Sequence, residues 1–406
     1  SARDTLLILT ATRWFPTGLV IGVMALLPIE RGLSLSQLGV LLSVQGLVVL
    51  GLELPTGGLA DAIGRRRVLL LAALMALASA VVFVTAHSMG VFVLALVLQG
   101  VHRALDSGPL EAWYVDAAQA DDPEVRVEHA LARAGTVLGL SIASGALVSG
   151  ALVAWHPVPS MTALELPFWV AVGFLVVNLV MIALRLRESR TPLVRDGASG
   201  ALGSAGEAAR TVVAGLRLLS AAPVLRALVL VEVFWATALI AFETLVPVRL
   251  SELVGGTARA GALMGPASAA AWGLFAVGSA LAGSTSRRIG VARTALLARV
   301  LNGAAAVVMG VMAGPVGLIT AFLLGYTLHG GAGPMHATLL HREARADNRT
   351  TVLSMNSMVA GGAYTVGLLV MGPAAEHTST ALVIGAAGAF SILGALLYLP
   401  AVRREG

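Results

Sequence analysis

The sequence predicts an all-α membrane protein of twelve transmembrane helices in two pseudo-symmetric six-helix bundles, with both termini in the cytoplasm. Three observations predict it. Of 406 residues, 57% are hydrophobic and only 12% are charged, about half of the roughly 25% typical of a water-facing globular chain. Core packing does not explain the deficit, because a soluble protein still needs a polar shell. Apolar runs of roughly 20 residues, enough to cross about 30 Å of hydrocarbon, recur twelve times. A short charged loop between two such runs also occurs twice, once in each half of the chain.

The runs fall at about 5–29, 36–60, 68–87, 91–117, 128–155, 166–186, 223–249, 259–285, 291–313, 316–340, 350–372 and 379–400. They must be helical, because lipid offers backbone polar groups no partners. The first run contains Arg13, lacks a small-residue cleavage site and leads straight into further spans, so it reads as a helix and not a cleaved signal. Ser1 in place of an initiator methionine points to a trimmed start. Lysine is absent and arginine supplies every basic residue. Most arginines lie on one side of the twelve runs, among them Arg65, Arg66, Arg67, Arg185, Arg187, Arg287, Arg288, Arg342, Arg345, Arg403 and Arg404; the opposite loops hold Arg31, Arg249 and Arg259. This is the positive-inside pattern, and it places the termini inside.

Residues 1–187 make one six-helix unit and 223–406 the other, joined by a linker at 188–222. Gly197, Ser199 and Gly200 mark that linker as flexible and polar. From Glu207 to Leu219, Val212, Val213, Leu216 and Leu219 share a face opposite Arg210 and Arg217. That pattern fits an amphipathic helix on the inner leaflet; the other reading is an inward extension of the seventh helix. The repeated loop is Gly57-Gly58-Leu59-Ala60-Asp61-Ala62-Ile63-Gly64-Arg65-Arg66-Arg67 after the second run and Gly283-Ser284-Thr285-Ser286-Arg287-Arg288-Ile289-Gly290 after the eighth. The outer glycines keep the same separation.

Gly57, Leu59, Asp61, Gly64, Arg65 and Arg66 match the loop pattern of the major facilitator superfamily. With its twelve runs, the chain resembles the twelve-helix drug–proton antiporter branch of that family. The resemblance implies two bundles around a central pore, with the loop latching them on the cytoplasmic side. It implies that Asp61 faces the N-terminal end of the eleventh helix near Thr350 and Thr351, and that Arg65 pairs with Asp116. Arg103 and Gly108 approximate the family's fourth-helix pattern. Ala62 stands where a basic residue is usual. Gly135, Gly139, Gly145 and Gly150 supply the fifth-helix glycines without the proline that follows them in exporters. Small residues at such spacing also let helices approach closely.

Ionisable residues are costly in hydrocarbon, so they tend to face cavities and to mark function. In the fourth run, Arg103, Ser107, Leu110 and Tyr114 should share a face at about 100° per residue, flanked by Asp106 and Glu111, with a kink at Pro109. Either acid can carry a proton by alternating between an arginine partner and a desolvated setting; the alternative is a static Arg103–Asp106 pair. Glu232 and Glu243, eleven residues apart, lie on one stripe of the seventh run, suited to a proton path, to cationic substrates or to pairing with arginines. Glu53 either titrates or braces the loop. Arg13 either binds an anionic group or pairs with Glu53 or Glu111. His329 and His336 share a face and form either a relay or local hydrogen bonds. Arg13, Trp14, Arg103, Tyr114, Trp235, His329 and His336 are candidates to line a substrate cavity.

Without lysine there is no phosphate-cradling Gly-x-x-x-x-Gly-Lys loop, which argues against an ATP-driven pump. Without cysteine there are neither disulfides nor thiolate metal sites. A net charge of +5 with 5% aromatic residues fits arginines beside anionic lipid better than a base-stacking surface. No nucleophile or metal motif supports an enzyme. The resemblance implies a monomeric multi-pass protein of the plasma (inner) membrane, without cofactor or nucleic-acid partner. It would be a proton-coupled antiporter exporting small amphiphilic compounds such as antibiotics; the alternative is a proton-coupled uptake symporter for a nutrient or organic anion.

Overall fold

The computed structural model describes residues 1–57, 63–122, 125–187, 213–345 and 348–405, with the side chains at 53–57, 121 and 350 outside that description. Among the described residues there is no strand, and twelve helical spans are long and apolar enough to cross a bilayer. These are α1 (Ala2–Glu30), α2 (Leu35–Leu52), α3 (Arg65–Thr85), α4 (Met89–Ala120), α5 (Glu128–Trp155), α6 (Glu165–Arg185), α7 (Pro223–Val254), α8 (Thr257–Ile289), α9 (Val291–Val311), α10 (Pro315–Glu343), α11 (Thr351–His377) and α12 (Thr380–Glu405). They follow the twelve apolar runs in order. The repeated loop carries a repeated backbone: Gly64 before α3 has φ 93° and Gly290 before α9 has φ 90°, a conformation that a Cβ disfavours.

Four spans depart from a plain α-helix; in α12 the departure is a 3-10 turn at Leu396–Tyr398. In α4, Pro109 has no N–H for the Leu105 carbonyl and its ring crowds that carbonyl. The helix stops at Leu105, turns through Asp106 and Gly108 (φ 94°), and restarts with Pro109 in its first turn. In α7, Pro247 stands four residues after Glu243 and cannot donate to its carbonyl. Residues Ala241–Leu245 widen into a π-helix there, closed by Val246 N–H donating to Ala241 O. A turn at 22–25 interrupts α1.

The side of the bundle opposite the termini is closed. One apolar core there joins both halves: Val23, Leu26, Leu38 and Leu41 pack with Met264, Ala267, Leu368 and Met371. Glycines set the approach. A Cβ on Gly150 of α5 would stand 2.9 Å from the Ala262 carbonyl of α8, and one on Gly372 of α11 would stand 2.6 Å from the Leu35 carbonyl of α2. Gly145 packs the same way on α1, whereas Gly135 and Gly139 face open space, so only part of the fifth-helix glycine series serves close packing. Carboxylates reinforce this side reciprocally. Glu376 of α11 accepts the Ser36 N–H at the start of α2 (2.8 Å), and Glu30 of α1 accepts from Thr257 at the start of α8 (3.4 Å) and from Thr162 (3.0 Å).

On the termini side the cores are separate. Leu6, Leu9, Leu110 and Trp113 belong to a cluster of the first half alone; Val224, Leu228, Leu339 and Tyr398 belong to one of the second half alone. Among the described residues no apolar cluster bridges the halves on this side, which leaves a cleft between the two clusters. A helix at 213–221 precedes α7. Its Gly215 is buried against Met355 of α11, while Val213 and Leu216 are exposed. An extended Ala222 (φ −116°, ψ 90°) separates it from α7, so it is not a straight extension of that span. Residues 188–212, with Arg210 and Val212, lie outside the description.

Candidate functional site: a cleft between two charge networks

The break in α4 decides where its charges go. Asp106 turns into the first bundle and meets Arg13 of α1, with Arg13 Nε 2.5 Å from Asp106 Oδ2. Arg13 Nη2 also donates to the Asp106 carbonyl at 3.3 Å, and its guanidinium lies 5.1 Å from the centre of the Trp14 ring. The Asp106 side chain is only 5% exposed, so the pair sits where attraction is weakly screened. His102, one turn earlier, donates from Nδ1 to the Ala72 carbonyl at 2.9 Å. That leaves its Nε2 3.8 Å from Asp106 Oδ2.

Two sequence expectations for α4 are corrected by this geometry. The partner of Asp106 is Arg13, not Arg103, and Arg13 makes no ion pair with Glu111; whether it meets Glu53 falls outside the described residues. The common face of Arg103, Leu110 and Tyr114 does not exist, because the turn at Asp106–Gly108 rotates the second segment. Leu110 and Tyr114 are buried in the first-half core, so Tyr114 does not line the cleft. Arg103, Ser107 and Glu111 are exposed. Glu111 stands in the first turn of the second segment, within electrostatic reach of Asp106.

The second half holds a different network. Glu232 of α7 is buried, with Oε1 3.1 Å from His336 Nε2 of α10. His336 Nδ1 accepts from the Tyr398 hydroxyl at 2.8 Å, which assigns the Nε2 proton toward Glu232; Asn356 Oδ1 lies 3.3 Å from the same nitrogen. Arg299 of α9 is 2% exposed and lies 4.3 Å from the Trp235 ring centre, a cation–π contact in a dry setting. The His329 ring stacks on Trp235 at 4.5 Å. Glu232, Trp235, His329 and His336 are thus brought together inside the second bundle, and Glu232 is enclosed there instead of facing the cleft. No chain of hydrogen bonds joins His329 to His336 among the described contacts; His329 and Arg299 both lie against Trp235.

Glu243 is the acid of α7 that reaches the cleft. The π-helical turn carries its exposed side chain, and Glu243 Oε2 accepts from the Tyr364 hydroxyl of α11 at 3.1 Å. Around it lies a concavity at the closed end of the cleft, lined by Phe242, Met264, Ser268, Trp272, Phe322 and Tyr326. Arg103 lies within electrostatic reach of both Glu243 and Tyr364, so it faces the cleft from the opposite half.

Of the loop residues, Arg65 makes an ion pair with Asp116, and Arg66 Nη2 donates to the Ala183 carbonyl of α6 at 2.8 Å. Gly57 ends the second helix and Gly64 starts α3. The second half mirrors the latch with other residues: Glu405 accepts from Arg342 at 2.5 Å and from the Ala292 N–H at 2.9 Å. Asp61 and the Glu53 side chain lie outside the described residues. No cluster of metal-ligating side chains exists among the described residues.

Sequence reasoning passed over His102, Asn356, Tyr364 and Tyr398. His102 was readable, since it precedes Asp106 by one turn and so shares its face. The other three make their contacts through residues twenty or more positions away, which no local pattern reports.

No curated protein sequence matches the chain. Among solved structures, it is similar to the nucleoside transporter NupG, with a TM-score of 0.78 at 10% identity over 98% of each chain. A proton-dependent oligopeptide transporter gives a TM-score of 0.72 at 13% identity, covering 100% of this chain and 99% of the other. The human organic anion transporter MFSD10 gives 0.62 at 18% identity over 98% of each. At these identities the likeness establishes the fold. The sequence profile of the Major Facilitator Superfamily matches residues 6–367, nearly the whole chain, and the chain therefore belongs to that superfamily: it is a multi-pass membrane transporter and not an enzyme.

Proposed function

We propose that this transporter is driven by protons through Asp106 and carries small amphiphilic solutes out of the cell. The observation that supports it is the buried Arg13–Asp106 pair at the α4 break, with His102 beside it. A buried carboxylate paired with one arginine holds that arginine; once protonated, it releases it. Binding or release of one proton there changes what ties α1 to α4, and with it the balance between the open cleft and its closed counterpart, as alternating access requires. The aromatic wall around Glu243 suits an amphiphilic solute.

Uptake of a nutrient or organic anion is the second reading, favoured by the similarity in fold to the nucleoside and proton-dependent oligopeptide transporters and by the unpaired Arg103 in the cleft. Purified protein in proteoliposomes under an imposed proton gradient separates the two. Solute movement against the proton flow supports export; movement with it supports uptake. Unchanged flux after neutralising Asp106, Glu111, Glu232 and Glu243 together would refute proton coupling by these acids.

A further inference from the structure

Among the described residues, Arg103 and Glu243 are two oppositely charged side chains at the cleft that are not committed to each other. Arg103 comes from α4 of the first half and Glu243 from α7 of the second. Both are exposed, and among the described residues neither makes an ion pair. Each of the other charged groups buried between the helices already has a partner within its own half: Arg13 has Asp106, Glu232 has His336, and Arg299 has the face of Trp235. The apolar lining is confined to one end. Phe242, Phe322, Tyr326 and Trp272 surround Glu243, with Phe242 and Tyr326 edge to face at 5.9 Å. The Tyr364 hydroxyl donates to only one Glu243 oxygen, leaving the other available.

We propose that the substrate is a small dipolar molecule with an aromatic or otherwise flat apolar body, whose ammonium meets Glu243 and whose carboxylate or other anionic group meets Arg103. Such a solute supplies each half with the opposite charge it lacks. A purely cationic solute leaves Arg103 opposed by a like charge, and a purely anionic one does the same to Glu243. Each mismatch carries a desolvation cost in a water-poor cleft. The planar guanidinium presents two donors to a carboxylate, and aromatic faces around Glu243 favour a cation. A ligand that spans both charges also joins the two halves, so its binding favours their approach on the termini side. This inference rests on the cleft being the transport site, and it is independent of how protons are coupled.

The test is binding by the purified full-length protein, measured by calorimetry against matched trios. Each trio holds an aromatic zwitterion (tryptophan, phenylalanine or a dipeptide of either), its amine-only analogue (tryptamine, phenethylamine) and its acid-only analogue (indole-3-propionate, hydrocinnamate). At least one zwitterion is expected to bind ten-fold or more tightly than both single-charge analogues. Glu243→Gln should bring its affinity down to that of the acid-only analogue, and Arg103→Gln to that of the amine-only analogue, with melting temperatures checked for both variants. Amine-only analogues binding as tightly as the zwitterions would overturn the proposal, as would Arg103→Gln leaving every affinity unchanged, or no member of any trio binding. Proton uptake into proteoliposomes, measured in parallel, reports on coupling through Asp106 separately, so the substrate assignment can fail while the coupling stands.

Discussion

Both halves bury charge on the termini side of the bundle, but they do it differently. In the first half the charge is a bare pair across a broken helix. Arg13 Nε meets Asp106 Oδ2 where α4 has stopped, and among the described residues the other ionisable neighbour in contact is His102. In the second half the charge is enclosed. Glu232, His336, Tyr398 and Asn356 satisfy one another across four helices, and Arg299 is packed beneath Trp235. Although Arg299 Nε and Nη1 are buried without a hydrogen-bond partner, a hydrogen-bonded set that ties four helices together specifies one arrangement and resists change. A pair at a helix break has fewer restraints and two chemically distinct states. The contrast assigns movement to the first network and rigidity to the second.

Asp106→Asn is the sharpest way to break the comparison. It keeps the size of the side chain and removes its charge. Gradient-driven accumulation in proteoliposomes is expected to fall to the level of empty liposomes, while exchange of solute without net proton movement continues. Retained accumulation would show that the first network is as static as the second. Glu232→Gln should act the other way. Gln in place of the carboxylate that accepts from the buried His336 Nε2–H weakens a buried hydrogen bond, a loss on the order of 1–3 kcal/mol, and Tyr398 and Asn356 still partner His336, so the loss belongs at the lower end of that range. It should be read as a clear drop in melting temperature with coupling retained. Lost coupling at unchanged stability would move the proton site to the second half.

Much of this architecture can be read from residue order. The twelve spans follow from hydropathy, because lipid-facing and core-facing positions are both apolar and only length matters. The repeat was readable at Gly64 and Gly290, since both must adopt the same positive φ to start a helix after a tight turn. The Arg65–Asp116 pair followed from resemblance. The charge partners inside the bundle were not readable in the same way. An unbroken α4 places Arg103 beside Asp106; the structure turns Asp106 away because Pro109 stops the helix first. The same chemistry at Pro247 separates the environments of Glu232 and Glu243, eleven residues apart on one helix, by opening a π-turn at the second. Prolines were visible, but their effect on side-chain direction depends on neighbouring helices that a local pattern does not contain.

The smallest expected effect tests whether the halves move against each other as units. On the side opposite the termini, Glu376 reaches from α11 to the Ser36 N–H at the start of α2, and Glu30 reaches from α1 to Thr257 at the start of α8. Each half thus supplies a carboxylate to the N-terminus of a helix in the other, where helix dipole and free N–H groups favour negative charge. Glu376→Gln weakens one of these contacts and leaves the glycine packing and both charge networks intact. The expected result is a few-fold increase in the population open on that side, without loss of melting temperature. Because the chain has no cysteine, a single cysteine placed at Gly32, whose Cβ position has no neighbour within 4 Å, gives the control for full accessibility. A second at Gly372, packed against the Leu35 carbonyl, requires the variant's backbone to shift and so starts biased toward opening. Comparing alkylation rates at the two sites with and without Glu376→Gln isolates the contribution of the carboxylate. An increase confined to the Gly372 site fits rigid halves that part along α2 and α11; no change at either site would mean that apolar packing alone keeps this side shut.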